Sequence, residues 1–463
     1  MYRFGFLLLV AVLLAPDNAV ATPLLRPCKV PGVEETLRCG DLLVPENPAQ
    51  ADGRQIKIHF VVLPAIEPHA GRAPLFDLAG GPGISATNGA SFFATDGSAH
   101  RQHRDVVLVD QRGTGESSPL RCAELELAGS LERMYPIEAV RRCRKTLERH
   151  ADLSQYTTTN TVADLEAVRT ALGYEKIDLF GLSYGTRLAL AYIDMHPERI
   201  HAAALMGVVP ADVKMPLWHA RFAQATLDDV FADCESDVAC RAAYPELRNE
   251  WKRVLENPEF DGPKREAFRT LLVATNGQRR LPPLIHAISN GDLEPFTKRF
   301  EGSSSAMFSE GLYLSVICTE DTQTITTEER LEATAGTFLG TYRIDEQAAA
   351  CAEWKVPSAP LQYGKKPSEV PLLVVTGDRD YVTPVDWAKR TVAAFSRSRL
   401  VVIPKLGHFP EGLSHMACLD GVIGSFFSRG DAADLDVSCV AEMTPLPFEL
   451  STKDGATVRP QAD

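Results

Sequence analysis

The chain has no block of lysine and arginine, no internal repeat and no low-complexity segment. With 48 Lys+Arg against 61 Asp+Glu, its formal net charge is −13. That is the wrong sign for gripping a nucleic-acid backbone or an anionic membrane, so neither partner is expected. No stretch approaches the ~20 consecutive apolar residues that a membrane-crossing helix needs. Neither Cys-x-x-Cys nor His-x-x-x-His spacing occurs among the 10 cysteines and 11 histidines. Without such ligand patterns no zinc site is expected, and no metal or organic cofactor is called for.

What is present begins with a leader. Arg3 precedes an apolar core from Phe4 to Ala15, and Ala19-Val20-Ala21 supplies a small-residue cleavage site. This is the pattern of a secretory signal peptide over residues 1–21. No cysteine sits directly after the cleavage site, so a lipid anchor is not indicated. The product is expected to be secreted or periplasmic. All 10 cysteines lie beyond the leader, as suits an oxidising compartment. Ten cysteines admit many connectivities. Pairing of sequence neighbours is the expectation: Cys28–Cys39, Cys122–Cys143, Cys234–Cys240, Cys318–Cys351 and Cys418–Cys439. Each would close a short loop, worth about 2–4 kcal/mol.

Strand-like and helix-like segments alternate through residues 22–215. Ile56–Leu63, Pro74–Ala79 and Asp105–Asp110 read as strands. Thr161 with Asp164 reads as a capping box opening a helix that carries Val162, Leu165, Val168 and Leu172 on one face. A last strand, Lys176–Phe180, follows. From Pro216 to about Pro360 the text turns helix-like and charged, then Val370–Thr376 and Arg399–Ile403 restore the strand pattern. The organisation predicted is an α/β core at 22–215 and 361–450, interrupted by a helical cap at 216–360 and followed by a polar tail at 451–463. The core is expected to be a mostly parallel sheet covered by helices on both faces.

The strand Lys176–Phe180 runs into Gly181-Leu182-Ser183-Tyr184-Gly185 and then a helix. Strand, Gly-x-Ser-x-Gly, helix is the context of a nucleophile elbow, the tight turn that exposes a serine hydroxyl at a sheet edge. A serine needs a base, and the base needs an orienting carboxylate. In α/β-hydrolases these follow in the order Ser, acid, His. Past one strand end lie Asp378 and Asp380, either able to serve as the acid; past the next lies Gly407-His408. His415 opens an apolar helix and reads as a cap or surface residue. The oxyanion requires two N–H donors. Tyr184, directly after the serine, supplies one; Gly81, in Gly80-Gly81-Pro82-Gly83, is the better second candidate and Gly80 the weaker. Pro82 has no N–H to give.

Gly80–Gly83, Asp110-Gln-Arg-Gly-Thr-Gly115, Gly181–Gly185, Gly377-Asp-Arg-Asp380 with Thr383-Pro384, and Gly407-His408 together resemble the proline iminopeptidase and tripeptidyl aminopeptidase group of α/β-hydrolases. Cys234…Cys240…Tyr244-Pro245 and Ile317-Cys-Thr-Glu-Asp321 are closer to its secreted tripeptidyl aminopeptidase branch. The resemblance implies an α/β-hydrolase fold with a helical cap, Ser183 as nucleophile, Asp380 as acid and His408 as base. It also implies release of short peptides or single residues from free N-termini. The chain departs from the pattern at Ala79, where proline iminopeptidases usually carry histidine. Asp110 and Arg112 are expected to brace the turn. An exopeptidase must hold the substrate's α-ammonium with carboxylates, and Glu320 and Asp321 are the candidates. The rival readings are a carboxylesterase or lactonase with the same triad, and a catalytically silent hydrolase fold used for binding. Activity is expected to fall as the histidine base takes up a proton.

Overall fold

The computed structural model describes residues 25–125, 131–301, 308–364 and 367–452. The expected leader and all of the polar tail beyond Thr452 lie outside the described residues. Among the described residues nine strands form one sheet, in the order β1-β2-β3-β5-β4-β6-β7-β8-β9. They are β1 (Arg26–Cys28), β2 (Leu37–Pro45), β3 (Gln55–Leu63), β4 (Leu75–Leu78), β5 (Val106–Val109), β6 (Ile177–Leu182), β7 (Ile200–Met206), β8 (Leu372–Gly377) and β9 (Ser398–Ile403). The pairings from β1 to β5 are antiparallel, and every pairing from β5 to β9 is parallel. A parallel sheet is covered on both faces, so its strands are continuous apolar runs. Val106–Val109 and Leu372–Gly377 are accordingly buried at every position.

On one face Phe76, Leu179, Leu205 and Val374 pack under the helices Thr158–Ala171, Tyr184–Met195 and Val385–Val392. On the other, Leu75, Val106, Ala204 and Val375 pack under the helix Ala417–Arg429. The chain between β7 and β8 is helical. Its first part, joined by Phe338 from further along the chain, has its own aromatic core of Phe231, Trp251, Phe260, Phe268 and Phe296. Its last helices, Glu310–Glu320 and Tyr342–Trp354, instead bury Leu312, Val316 and Trp354 in the same cluster as the sheet. The helical stretch is therefore split in its packing between a separate core and the main one.

Three strands escaped the sequence reading, β1, β2 and β7. β1 is the three-residue edge strand and β2 pairs antiparallel between it and β3, while β7 is Ile-His-Ala-Ala-Ala-Leu-Met, whose alanines have low strand propensity. Its place between β6 and β8 overrides that preference. The helix expected to open at Thr161 opens one turn earlier, at Thr158, because Thr157 caps it by accepting from Asn160 N. Asp164 is no cap. Its carboxylate makes a buried two-point pair with Arg112, Nε–Oδ2 at 2.7 Å and Nη2–Oδ1 at 2.8 Å. The cysteines pair as neighbours, Cys28–Cys39, Cys122–Cys143, Cys234–Cys240, Cys318–Cys351 and Cys418–Cys439.

Arg112 also donates through Nη1 to Glu46 O at 2.7 Å and Gln155 O at 2.9 Å. Replacing Arg112 with Met strands the Asp164 carboxylate in the core, which typically costs about 3–5 kcal/mol. Urea unfolding of Arg112→Met at neutral pH should show a loss of that size. A change below about 1 kcal/mol would contradict the bracing role.

Candidate active site

The first element of the site is the turn at the end of β6. Ser183 sits there at φ +55°, ψ −123°, a conformation costing a non-glycine residue on the order of 1–3 kcal/mol. The surroundings hold it. Ser183 N–H donates to Met206 O, the last residue of β7, at 3.0 Å, and Ser183 O accepts from Thr186 N at 2.9 Å. Both flanking glycines are required by contact. A Cβ at Gly185 would lie 1.8 Å from Leu78 O, and one at Gly181 2.8 Å from Gly185 O.

The second element comes from the ends of β8 and β9. Asp380 Oδ1 accepts from Val382 N (2.8 Å) and Thr383 N (2.9 Å), while Oδ2 accepts from Thr383 Oγ1 and lies 2.8 Å from His408 Nδ1. Asp378 instead accepts from Lys405 N at 2.6 Å, so of the two candidate acids only Asp380 meets the histidine. Pairing with a carboxylate makes Nδ1 the protonated ring nitrogen and leaves Nε2 as an acceptor. The helical region grips this loop from above: His408 N donates to Val273 O at 2.7 Å and Gly407 N to Thr275 Oγ1 at 3.0 Å. The imidazole lies over Gly207, where an added Cβ would come within 3.0 Å of Cε1. Gly207 directly follows Met206, so serine and imidazole are anchored at neighbouring residues of one strand end. No hydrogen bond joins Ser183 Oγ to His408 among the described residues; such contacts commonly tighten only around substrate.

The third element is the loop after β4. A Cβ at Gly80 would be 3.1 Å from both Leu182 O and Ser183 Cβ, so the loop backbone lies against the nucleophile. Gly81 adopts φ +107°, and its N–H has no protein acceptor among the described residues. Tyr184 opens the helix, where the first N–H groups lack intrahelical partners. Gln111 Nε2 holds the loop through Ala79 O at 2.9 Å. Asp110 ties it down further, accepting from Ser85 Oγ (2.8 Å), Thr87 N (3.0 Å) and Glu116 N (3.0 Å). Asp110 and Arg112 thus brace backbone, as their sequence context suggests.

Glu320 and Asp321 do not fit the amine-binding role expected of them. Asp321 is bound to Arg187 Nη1 at 2.9 and 3.1 Å, and Glu320 accepts from Thr158 N and Thr158 Oγ1, each at 2.7 Å. Both carboxylates are buried. The cleft they border is lined by Asp194, Lys214, Tyr363 and Arg390, and includes none of Ser183, Asp380 or His408. The reason is local: both residues end a helix packed against the nucleophile helix, and buried Arg187 claims their charge.

A different carboxylate, Glu266, is linked through Arg269 to Tyr381, the residue after Asp380. Glu266 Oε1 accepts from Arg269 Nε at 2.9 Å, Arg269 Nη2 at 2.5 Å and Arg343 Nη1, whereas the buried Oε2 has no protein partner among the described residues. Burial raises the Glu266 carboxyl, but the two guanidiniums outweigh it and hold the group below its usual range. Arg269 Nη1 donates to the hydroxyl of Tyr381, the residue after Asp380, at 2.5 Å, and His219 sits edge-on to Tyr381 with centroids 6.2 Å apart. Burial, then Arg343, Arg269 and His408, push His219 well below the ordinary imidazole range, so it is neutral at neutral pH. In sequence Glu266 stands in Lys264-Arg-Glu-Ala-Phe-Arg269, which reads as the charged face of an amphipathic helix; nothing in the spacing marks it.

The elbow makes one demand that a single methyl group tests. Gly185→Ala must displace β4 or the helix start, and is expected to yield protein with hydrolytic activity reduced by more than about 100-fold, since misplacing the reacting groups by ~1 Å costs that much. Activity within tenfold of the parent on a p-nitrophenyl ester would show that the contact is not what sets the elbow.

The model of the alpha/beta hydrolase fold family matches residues 78–410, which contain all three elements. Tripeptidyl aminopeptidase of Streptomyces lividans is 25% identical over 89% of this chain and 85% of its own length. Serine protease Hip1 of Mycobacterium tuberculosis is 27% identical over 77% of this chain and 78% of its own. Proline iminopeptidase of Neisseria gonorrhoeae reaches 35% identity, over 29% of this chain and 32% of its own. With the matched span running from the last residue of β4 through β9 and covering every segment of the site, the chain belongs to the alpha/beta hydrolase fold family, a hydrolase similar over most of its length to serine peptidases and aminopeptidases.

Proposed function

We propose that this protein is a secreted or periplasmic serine exopeptidase that cleaves peptides near a free N-terminus through Ser183, His408 and Asp380. The observation that carries the reading is the buried Asp380–His408 pair seated over Gly207, one residue beyond the carbonyl that anchors Ser183. Ser183 Oγ attacks the scissile carbonyl carbon and its proton passes to His408 Nε2, while Asp380 keeps the proton on Nδ1 and stabilises the imidazolium. The oxyanion falls between the N–H groups of Gly81 and Tyr184. Each such donor is typically worth about 2.7–4 kcal/mol in the transition state. His408 then protonates the departing amine, and the acyl-enzyme is resolved by water activated at the same nitrogen.

Recognition of a free N-terminus needs a carboxylate with acceptor capacity to spare. Glu266 is that group in this reading: its Oε2 is unclaimed, its charge is secured by two arginines, and it is linked to the catalytic acid's neighbour through Arg269 and Tyr381. The helical region 216–360 then serves as the cap that carries the amine site. The chain's similarity to a tripeptidyl aminopeptidase and, over a shorter span, to proline iminopeptidases supports this class of substrate. The signal-peptide pattern and five disulfides support export.

Ser183→Ala should lower kcat/KM on a peptide p-nitroanilide by at least about 10³-fold. The exopeptidase reading is tested by comparing that substrate with its N-acetylated form. The free amine is expected to be preferred by at least tenfold. Glu266→Gln should shrink the preference by roughly 10- to 100-fold, the worth of about 1.5–3 kcal/mol for a hydrogen bond to a charged group. Equal cleavage of free and blocked peptides, with faster turnover of simple esters, would replace the aminopeptidase by an esterase.

A further inference from the structure

Tyr184 carries two polar groups that point to different tasks. Its backbone N–H is the oxyanion donor assigned above; its phenol is buried, with 1% of the residue exposed. The phenol oxygen lies 2.8 Å from Thr158 Oγ1, and Thr158 Oγ1 donates to Glu320 Oε2 at 2.7 Å. Because the threonine proton is committed to the carboxylate, its oxygen accepts from the Tyr184 O–H. Glu320 Oε1 meanwhile accepts from Thr158 N at 2.7 Å, fixing the start of the helix Thr158–Ala171. Three residues beyond Tyr184 on the nucleophile helix, Arg187 is held by Asp321. Adjacent carboxylates at the end of one helix therefore hold two side chains of the helix that starts at the nucleophile. Cys318–Cys351 fastens that same helix to Tyr342–Trp354. A clamp built for stability alone needs only the Arg187–Asp321 pair. Glu320 adds a hydroxyl relay ending on the residue directly after the nucleophile.

We propose that Glu320 is a positioning residue for the reaction: its ionised carboxylate, acting through Thr158, fixes the Tyr184 side chain and so aims the Tyr184 N–H at the oxyanion. The inference rests on the assignment of Tyr184 as an oxyanion donor. The titratable and charged groups facing Glu320 are Arg187 at 3.8 Å, Asp321, Tyr184 and Tyr363. Burial, partly offset by Arg187 and the bonds from Thr158, pushes the Glu320 carboxyl up to about 7. Below that pH the carboxyl carries a proton of its own, the relay runs in reverse, and the Tyr184 O–H loses its acceptor. Activity therefore falls by a step on the acid side as Glu320 takes up its proton.

The experiment compares the full-length protein with Glu320→Gln and Tyr184→Phe on a p-nitrophenyl ester. This substrate needs the nucleophile and the oxyanion donors but no free amine, so its outcome is independent of the exopeptidase reading. Active-site concentration is set by fluorophosphonate titration. Both variants should lose about tenfold in kcat with KM within twofold. The tenfold step that protonation of Glu320 adds to the acid side of log kcat against pH in the parent should be missing from each variant. Tyr184→Phe keeps Glu320, Thr158 and Arg187 in place, so it answers the question even where Glu320→Gln fails to fold. A kcat within twofold of the parent in Tyr184→Phe, or an unchanged acid limb in either variant, would overturn the proposal.

Discussion

The structure depends on one close approach, that of the backbone at Gly185 to the carbonyl of Leu78. With a virtual Cβ at 1.8 Å, the nucleophile helix can sit this near β4 only because residue 185 has no side chain. That proximity presses Ser183 against the Gly80–Gly83 loop, so the attacking oxygen and the two expected oxyanion donors share one small volume. The unfavourable φ of Ser183 follows from the same demand: the chain must reverse from strand to helix within a single residue. Three bonds around it, from Met206, Thr186 and, through Thr186 Oγ1, Val209 N, offset the strain.

The rest of the molecule maintains that geometry from both sides. Asp110 and Gln111 hold the loop after β4, while Arg112 locks the turn that bears them to Asp164 and to the carbonyls of Glu46 and Gln155. From the helical region, Val273 and Thr275 hold the His408 loop by its backbone. The helical region is thus a structural partner of the His408 loop.

Much of this was legible in the sequence, for a physical reason. Each candidate segment follows a strand end, and each is marked by glycines where backbones nearly touch; both signals survive in one dimension. The α/β architecture was visible because parallel strands must be apolar on both faces. The losses are equally instructive. Thr161 and Asp164 have the spacing of a capping box, but a buried arginine 52 residues away claims the aspartate. Glu320 and Asp321 look like a free acidic pair until Arg187 and Thr158 are seen to occupy them. Glu266 was hidden because a carboxylate with one satisfied and one unsatisfied oxygen has no sequence signature; only three-dimensional bookkeeping of donors finds it. β7 was missed because alanine becomes strand-forming only when neighbours on both sides supply the ladder.

The account stands or falls on whether the hydroxyl of Ser183 is the one activated group in the chain. Peptide mapping by mass spectrometry after reaction with a fluorophosphonate tests this directly. A single covalent adduct on the peptide containing Ser183, absent after His408→Ala, is the predicted result. An adduct at another serine, or an unmodified Ser183 in otherwise active protein, would contradict it.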